Sequence, residues 1–239
     1  MAESSELQAK PLEPALELLP DHAEPLLISF DLETTGQSPD SCHIIEIAAM
    51  NCVTGEVWST LVNPGKGIVV SQLITDITNI SNAMVKEPDV PFFADILPDF
   101  HNVVATWEKA AGMRPLLVAH NGRSFDTPIL VNEHRRAGKE MPPHWRFADS
   151  VLLARAVLGS AGPTHPAGGN ALGQLVTYFG LPQQQAHRAE YDARMLRDLL
   201  GPAGLGSRMP HLSRHLLKSS FAAAELLTAS KKPRSRGRW

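Results

Sequence analysis

The sequence predicts an α/β fold built on a mixed β-sheet with helices on both faces. Three apolar runs of strand length come first, at residues 26–30, 43–52 and 56–62, and a tight turn at 54–55 joins the last two. A later apolar run at 116–119 leads instead into a segment with helical spacing. An antiparallel meander followed by strand–helix units predicts a mixed sheet covered by helices.

The length and composition fit one such domain with a tail at each end. The chain has 239 residues and a hydrophobic fraction of 43%, which is ample for a core, and the domain is predicted to span residues 26–200. Residues 1–25 are rich in Glu and Pro, with Lys10 as their only lysine or arginine, and are predicted to form a flexible acidic arm. Residues 201–239 are predicted as an extension.

The extension combines an amphipathic pattern with a basic tail. Its apolar positions at helical spacing are Leu212, Leu216, Leu217, Phe221 and Leu226. The apolar side of this predicted helix either covers the core or mediates dimerisation, so the oligomeric state stays open. The tail at 231–238 is a solubilising end, a nuclear-import signal or an electrostatic arm on nucleic-acid backbone.

Charge and cysteine content exclude several classes of protein. The net charge is only −3, so any phosphate-binding surface must be local. Cys42 and Cys52 form neither a disulfide framework nor a zinc pattern, which is typical of a reducing compartment. The apolar runs are far shorter than the ~20 residues of a membrane span. We expect a soluble intracellular protein without a membrane partner, in the cytoplasm, the nucleus or an organelle.

The first strand ends in two acidic residues, Asp31 and Glu33, before a turn at 34–36. Side chains alternate between the faces of a strand, so both carboxylates project to the same side. Two carboxylates this close repel each other, and a bound divalent cation such as Mg²⁺ removes the conflict. A metal site is therefore favoured over a charged strand end that only caps the sheet.

The next segments carry mainly structural signals. Glu46 lies in an apolar strand on the opposite face from Ile45 and Ile47, and a structural role is favoured for it over metal binding. Apolar residues recur at helical spacing from 92 to 107, which predicts a helix that packs on the core.

A second acidic position follows the strand at 116–119. The chain passes through His120 and Asn121 to Asp126 and Pro128. Proline is tolerated in the first turn of a helix, so a helix is predicted to start here. A carboxylate at a helix N-terminus is favoured by the macrodipole. Asp126 is therefore either a helix cap or a further acid of the metal site, if the two strand ends lie side by side.

Two shorter helices are predicted downstream, at 150–158 and 171–179. Asp149 and Asn170 precede them and are predicted as their N-caps, a position that short polar side chains favour. The stretch 159–169 between them is rich in Gly and Pro and predicts a mobile loop.

The last motif pairs His187 with Asp192. The apolar residues that mark the following helix are Ala193, Met195, Leu196, Leu199 and Leu200. If both motif residues were helical, five positions at about 100° each would place them on different faces. We therefore expect His187 in the loop before the helix, folded back toward Asp192. A lone histidine here is usually a solvated loop residue, but beside four acids it is a general-base candidate.

Together these motifs resemble those of the DEDDh 3′–5′ exonucleases. The matching residues, in chain order, are Asp31, Glu33, Asp126, His187 and Asp192. This family includes the bacterial proofreading subunit and its DnaQ-like relatives, RNase T and the animal three-prime repair exonucleases.

The resemblance extends over about residues 26–200. The subclass with a catalytic tyrosine would need Tyr four residues before the last acid, where this chain has Arg188, so the histidine subclass fits better. The sequence of residues 118–126 is most similar to the corresponding segment of plant and algal members that degrade organellar DNA.

The resemblance implies a ribonuclease H-like fold and a metal-dependent 3′–5′ exonuclease. Such an enzyme hydrolyses phosphodiester bonds at free 3′ ends and releases nucleoside 5′-monophosphates, with single-stranded DNA favoured and RNA also compatible. It implies two Mg²⁺ ions, replaceable by Mn²⁺, roughly 3.5–4 Å apart. Asp31, Glu33, Asp126 and Asp192 would be the metal-binding residues, and His187 would act on the attacking water.

The resemblance also implies a set of substrate-binding residues, namely Leu32, Thr34, Thr35, Gly36, His120 and Asn121. Leu32 and the turn after it would meet the terminal sugar, and Asn121 the backbone one step upstream. An Ile-rich turn like that at 77–80 lies beside the nucleotide in relatives, and a core helix–loop segment is the alternative here.

Two other functions stay open on the sequence alone. One is a binding or scaffold protein that kept the fold without activity, and the other is a metal-dependent phosphoesterase acting on small nucleotides. An inactive relative would be free to lose one of the five signature residues, yet this chain has all five. The choice between DNA and RNA is undecided, because recognition of the 2′-OH depends on contacts that the sequence does not reveal.

Overall fold

The computed structural model describes residues 24–159, 169–183 and 187–229. Within them, five strands form one sheet in the order β3-β2-β1-β4-β5. The strands are β1 Leu26–Thr34, β2 Ile44–Asn51, β3 Val57–Leu61, β4 Pro115–Ala119 and β5 Arg146–Asp149. β2 runs antiparallel to both of its neighbours, β1 and β3, whereas β4 runs parallel to β1 and to β5. The predicted mixed sheet is confirmed.

Helices cover both faces of this sheet, as predicted. They are α1 Gln72–Thr78, α2 Asn82–Val85, α3 Phe93–Ala111, α4 Asp126–Arg136, α5 Ser150–Leu158, α6 Leu172–Tyr178, α7 Ala189–Leu200, α8 Leu212–Lys218 and α9 Ala223–Ala229. α3 and α4 pack on one face, while α5, α6, α7 and α8 pack on the other. Among the described residues, no helix has the length and apolarity needed to cross a membrane.

The alternation of side chains along β1 separates core from site. Phe30 and Leu32 are buried in the core against α3 and α4. Ser29 points the other way, since its hydroxyl donates to the backbone oxygen of Ala193 in α7 at 2.8 Å. Ala48, Ala189 and Ala193 form a fully buried contact between the sheet and α7. Because these side chains are small, α7 lies close enough to the sheet for its first turn to reach the end of β1.

The structure changes several predicted details. β1 continues beyond the apolar run at 26–30 and into the predicted turn as far as Thr34, so Asp31 and Glu33 lie inside the strand. In residues 77–80, Ile80 is fully buried against β2, as the core helix–loop alternative expects, while Ile77 is exposed. Contact of this turn with a nucleotide stays a prediction.

One predicted helix cap is confirmed and the other is wrong. Asp149 caps α5 by accepting a hydrogen bond from the Val151 backbone N–H at 2.9 Å. The N-cap of α6 is Ala171 rather than Asn170. Asn170 instead supplies its backbone oxygen to Nε2 of His120 at 2.7 Å, and this contact across the fold places it one residue outside the helix.

The prediction of a single amphipathic C-terminal helix is also wrong. The helical conformation is interrupted at 219–222, between α8 and α9. In this segment the backbones of Phe221 and Phe147 exchange two hydrogen bonds of 2.9 Å. Leu212, Leu216 and Phe221 are buried. The apolar side of this region therefore covers the core of the same chain.

Three predicted segments lie outside the described residues. They are the acidic arm up to residue 23, the loop at 160–168 and the basic tail at 231–238. Their expected characters remain predictions.

Candidate active site

The first two acids of the site project from β1 toward α7. In the antiparallel pairing with β2, Asp31 faces Ala48 and Glu33 faces Glu46, and the register shifts directly after Glu33. Glu33 is only 8% exposed although its side chain is ionisable. Because both acids lie within a paired strand, their backbone is held rigidly up to the point where the strand pairing becomes irregular.

The third acid is brought alongside by the parallel pairing of β4 with β1. Asp126 is the first residue of α4, follows the N-cap Phe125, and is 3% exposed. The turn leading to it needs glycine at 122, because a Cβ there would lie 2.8 Å from the Cβ of Ala119. The Leu32 backbone hydrogen-bonds to the Asp126 carboxylate. Asp126 therefore belongs to the group of site acids rather than serving as the helix N-cap.

His187 and Asp192 complete the cluster in the predicted fold-back arrangement. α7 begins at Ala189, so His187 lies before the helix and Asp192 in its first turn. The backbone N–H of His187 donates to Oδ2 of Asp192 at 2.7 Å. Ligand atoms of Glu33, His187 and Asp192 all lie within 4.8 Å of one another.

The four carboxylates strongly disfavour one another's ionisation. Burial, followed by the charges of Asp126 and Asp192, raises the pKa of Asp31 well above its usual range. Burial first, and then Asp192 and other acids, raises the pKa of Glu33 to about 8. Burial also raises the pKa of Asp126 to about 7, and it raises the pKa of Asp192 against a lowering hydrogen bond from His187. The site therefore holds more negative charge than it can keep ionised without a cation.

This donor set fits hard divalent cations. It consists of carboxylate oxygens, with one imidazole nearby, and contains no thiol. Mg²⁺ and Mn²⁺ prefer such oxygen ligands and keep positions open for phosphate oxygens. The residues that could hold them are Asp31, Glu33, Asp126 and Asp192.

We expect the stability of the metal-free protein to fall as the pH rises from about 5 to 8. The folded protein holds protons on Glu33 and Asp126, with pKa values of about 8 and 7, which the unfolded chain releases near pH 4. Since the folded state binds more protons in this window, raising the pH favours unfolding. Thermal melts in chelator should therefore show a decreasing Tm, and added Mg²⁺ should reverse most of the decrease at pH 8.

A Glu33→Gln variant is the matched control for that experiment. Burial lowers the pKa of His134 to about 4, which adds stability as the pH rises toward 6.5 and opposes the effect of the acids. The informative quantity is therefore the difference in Tm between the parent and Glu33→Gln, which should widen in favour of the variant from pH 5 to 8. A difference that stays constant with pH would contradict the proposed charge crowding.

The predicted substrate-binding residues on β1 and its turn differ in what they expose. The Leu32 side chain is buried in the core on the opposite face from the acids, which leaves only its backbone near the site. The Thr34 hydroxyl donates to the Gly36 backbone oxygen at 2.6 Å. The Thr35 hydroxyl accepts from the His43 backbone N–H at 3.0 Å. Both threonine hydroxyls therefore shape the turn.

His120 and Asn121, which directly follow β4, line a groove. Nε2 of His120 donates to the backbone oxygen of Asn170, so Nδ1 of the neutral ring accepts from the Ser150 hydroxyl at 2.8 Å. Asn121 is exposed and has a left-handed backbone with φ 62°. The groove has a volume of about 690 Å³ and Arg155 lines it as well. The sequence analysis missed Arg155, because a single exposed arginine in a helix carries no distinguishing signal.

The sequence analysis also missed the partner of Glu46. Glu46 is 5% exposed and forms an ion pair with Arg188, whose Nη2 lies 2.6 Å from Oε1 of Glu46. A charged residue in an apolar strand was the available signal, and it indicated a structural role without revealing the partner.

The part of the chain that matches known proteins is nearly the same as the predicted domain at residues 26–200. A family model, RNase_T, described as Exonuclease, matches residues 28–200. "Exonuclease DPD1, chloroplastic/mitochondrial" from Arabidopsis thaliana is 40% identical over 173 residues, which are 71% of this chain and 53% of that protein. This agrees with the predicted similarity to plant organellar members. The DNA polymerase III subunit epsilon of Treponema pallidum is 30% identical over 181 residues, which are 74% of this chain and 76% of that protein.

Solved structures of exonuclease I have the same fold. One superposes with a TM-score of 0.67 at 18% identity and covers 82% of this chain and 44% of that chain. The complex of E. coli exonuclease I with a dA16 oligonucleotide gives a TM-score of 0.65 at 17% identity and covers 80% and 43% of the two chains. The predicted ribonuclease H-like fold is thereby confirmed. The chain spans about half the length of the Arabidopsis relative and of these structures.

Proposed function

We propose that this chain, which belongs to the exonuclease family by its match over residues 28–200, is an active metal-dependent 3′–5′ exonuclease that releases nucleoside 5′-monophosphates. The observation that carries the proposal is the cluster in which Glu33, His187 and Asp192 present ligand atoms within 4.8 Å of one another. The charges of Asp31 and Asp126 act on the same group of acids. A scaffold protein would have no need for this costly concentration of charge.

The chain supplies the groups that phosphodiester hydrolysis requires. Asp31, Glu33, Asp126 and Asp192 would hold two Mg²⁺ ions, or Mn²⁺ in their place. When bound, such ions stabilise charge on the phosphate and acidify the attacking water. His187 is exposed, so its ring can take the proton from that water and pass it to solvent.

The groove beside His120 provides a path for the rest of the strand. Asn121 and the exposed Arg155 line it, and an arginine fork suits phosphate oxygens. This local positive group is consistent with a net charge of −3, because binding does not depend on the charge of the whole protein. Single-stranded DNA is the favoured substrate, and the dA16 complex of the structurally similar E. coli exonuclease I supports this choice. His120 acts in this arrangement by holding Asn170 and Ser150.

A 5′-labelled single-stranded DNA should shorten progressively from its unlabelled end in Mg²⁺ or Mn²⁺. The reason is that the acid cluster binds the terminal phosphodiester only with metal present, so chelator should abolish the reaction. The measurement is a time course on a denaturing gel, with matched duplex DNA and RNA as competing substrates.

A closed circular single strand is the control, because it has no 3′ end. Cleavage of the circle at a comparable rate would indicate an endonuclease and contradict the proposal. Hydrolysis of a mononucleotide ester alone, with intact oligonucleotides, would instead support the small-nucleotide phosphoesterase.

A further inference from the structure

Glu46 is a buried charge that the proposed reaction does not use. Its carboxylate lies next to α7 and accepts hydrogen bonds from Nε of Arg188 at 3.1 Å to each oxygen and from Nη2 at 2.6 Å. The backbone N–H of Ala189 also donates to Oε2 at 2.8 Å. Both oxygens are therefore occupied, and the carboxylate is held in one orientation.

These contacts anchor the start of α7 to the sheet. Arg188 is the N-cap residue, and its side chain has no oxygen with which to accept from the first helical N–H groups. Glu46 supplies that acceptor from β2, and its negative charge is favoured at the helix N-terminus. The bidentate contact of the Arg188 guanidinium with Glu46 adds a second, directional constraint on Arg188. The first residues of α7 therefore cannot shift without breaking several contacts.

The anchor lies directly beside the general-base candidate. His187 precedes Arg188 and has φ 63°, a left-handed conformation that costs free energy for a residue with a Cβ. Two constraints hold it there, the hydrogen bond from its own N–H to Asp192 and the ion pair of the next residue with Glu46. In addition, Glu46 lies directly opposite Glu33 on the neighbouring strand. Of these two paired residues, Glu33 belongs to the acid cluster and Glu46 to the anchor.

We infer that the Glu46–Arg188 ion pair positions His187, by fixing the chain entry into α7 so that the histidine ring faces the acid cluster. The inference rests on the proposed function. Neither residue of the pair touches the reacting atoms, so both are positioning residues. An ion pair with one buried partner contributes little net stability compared with apolar replacements, so the role that these directional contacts favour is to fix one geometry.

The test is a double-mutant cycle with His187. Glu46→Gln and Arg188→Lys are made in the parent and in the His187→Ala variant, and kcat and KM are measured on 5′-labelled single-stranded DNA at saturating Mn²⁺. In the parent, each should lower kcat by about 10–100-fold, the usual effect of residues that orient a catalytic group, with KM changed less than about twofold. In His187→Ala, each should lower kcat by less than about threefold, because the residue through which the pair acts is gone.

A matched ion pair on the same helix serves as the control. Glu190 and Arg194 of α7 lie 2.8 Å apart, and Glu190 is more exposed than Glu46, so Glu190→Gln and Arg194→Lys should leave kcat unchanged. Mn²⁺ binding by calorimetry without nucleic acid should be the same in the parent and in Arg188→Lys, which keeps the charges of the pair. Glu46→Gln is left out of this comparison, because the Glu46 charge also acts on Asp31, Glu33 and Asp192. Tm measured in chelator identifies any variant that fails to fold, and if Glu46→Gln does, Arg188→Lys, which keeps the charge, carries the test.

Three outcomes would overturn the inference. An unchanged kcat in Glu46→Gln and Arg188→Lys would show that the pair does not position the site. Equal losses in the parent and His187→Ala backgrounds, or weakened Mn²⁺ binding in Arg188→Lys, would assign the pair to the fold or to the acids. A parent without exonuclease activity would overturn the proposed function itself, which the parent assay reveals separately from the variants.

Discussion

Asp31→Asn and Asp192→Asn are each expected to lower turnover by more than about 10³-fold. Loss of one group that stabilises transition-state charge costs about 10²–10³-fold, and these acids would in addition hold the metal ions. Asparagine keeps the size of the side chain and removes its charge. The measurement is the single-turnover rate on a 5′-labelled single strand at saturating Mg²⁺, with the enzyme in saturating excess over the strand so that weaker binding of nucleic acid cannot account for the loss.

The same variants should fold normally, and in chelator they should melt at or slightly above the parent temperature. Burial and neighbouring acids raise the pKa of Asp31, so the charge on this residue destabilises the metal-free folded state. Asp99→Asn is the control, since Asp99 is an exposed acid on α3 and should change neither rate nor Tm. Variants that melt well below the parent in chelator would indicate that the acids support the fold instead of a metal site.

His187→Ala is expected to lower the rate by about 10²–10⁴-fold, the range for a positioned general acid or base. Mn²⁺ binding and KM for the strand should change little, because His187 is proposed to act on the attacking water. The acidic side of the rate–pH profile should also become flatter in the variant, since the group that must lose its proton has been removed. The measurement is a single-turnover rate–pH profile at saturating Mn²⁺.

His215→Ala is the matched control for this residue, because His215 is an exposed histidine of α8 that lies outside the proposed site. It should leave the profile unchanged. A normal His187→Ala rate at saturating Mn²⁺, with weaker metal binding, would assign the histidine to the metal site. An unchanged rate and unchanged metal binding would contradict the proposed mechanism and require another base.

Fold and site differ in how far they could be predicted. Local patterns of apolar, capping and turn residues depend on neighbours along the chain, and they predicted β1 to β4 and α3 to α7 in the correct order but did not predict β5. They did not reveal that β1 continues past both acids to Thr34, because the residues at 34–36 carry a turn signal. The C-terminal break between α8 and α9 was missed because Phe221 pairs with β5, a contact to a residue 74 positions away.

The sequence by itself determined the family, the acids of the site and the fold-back of His187 toward Asp192, because each depends on residue types at short, fixed spacings. The tertiary structure decided which side chains remain available around them. In the folded chain Glu46 forms an ion pair with Arg188, 142 residues away, and both ring nitrogens of His120 form hydrogen bonds. Such partners are selected by sheet register and by the close approach of α7 to the sheet over small alanines. A buried charge must find a partner wherever packing brings one near, and local sequence does not encode that position.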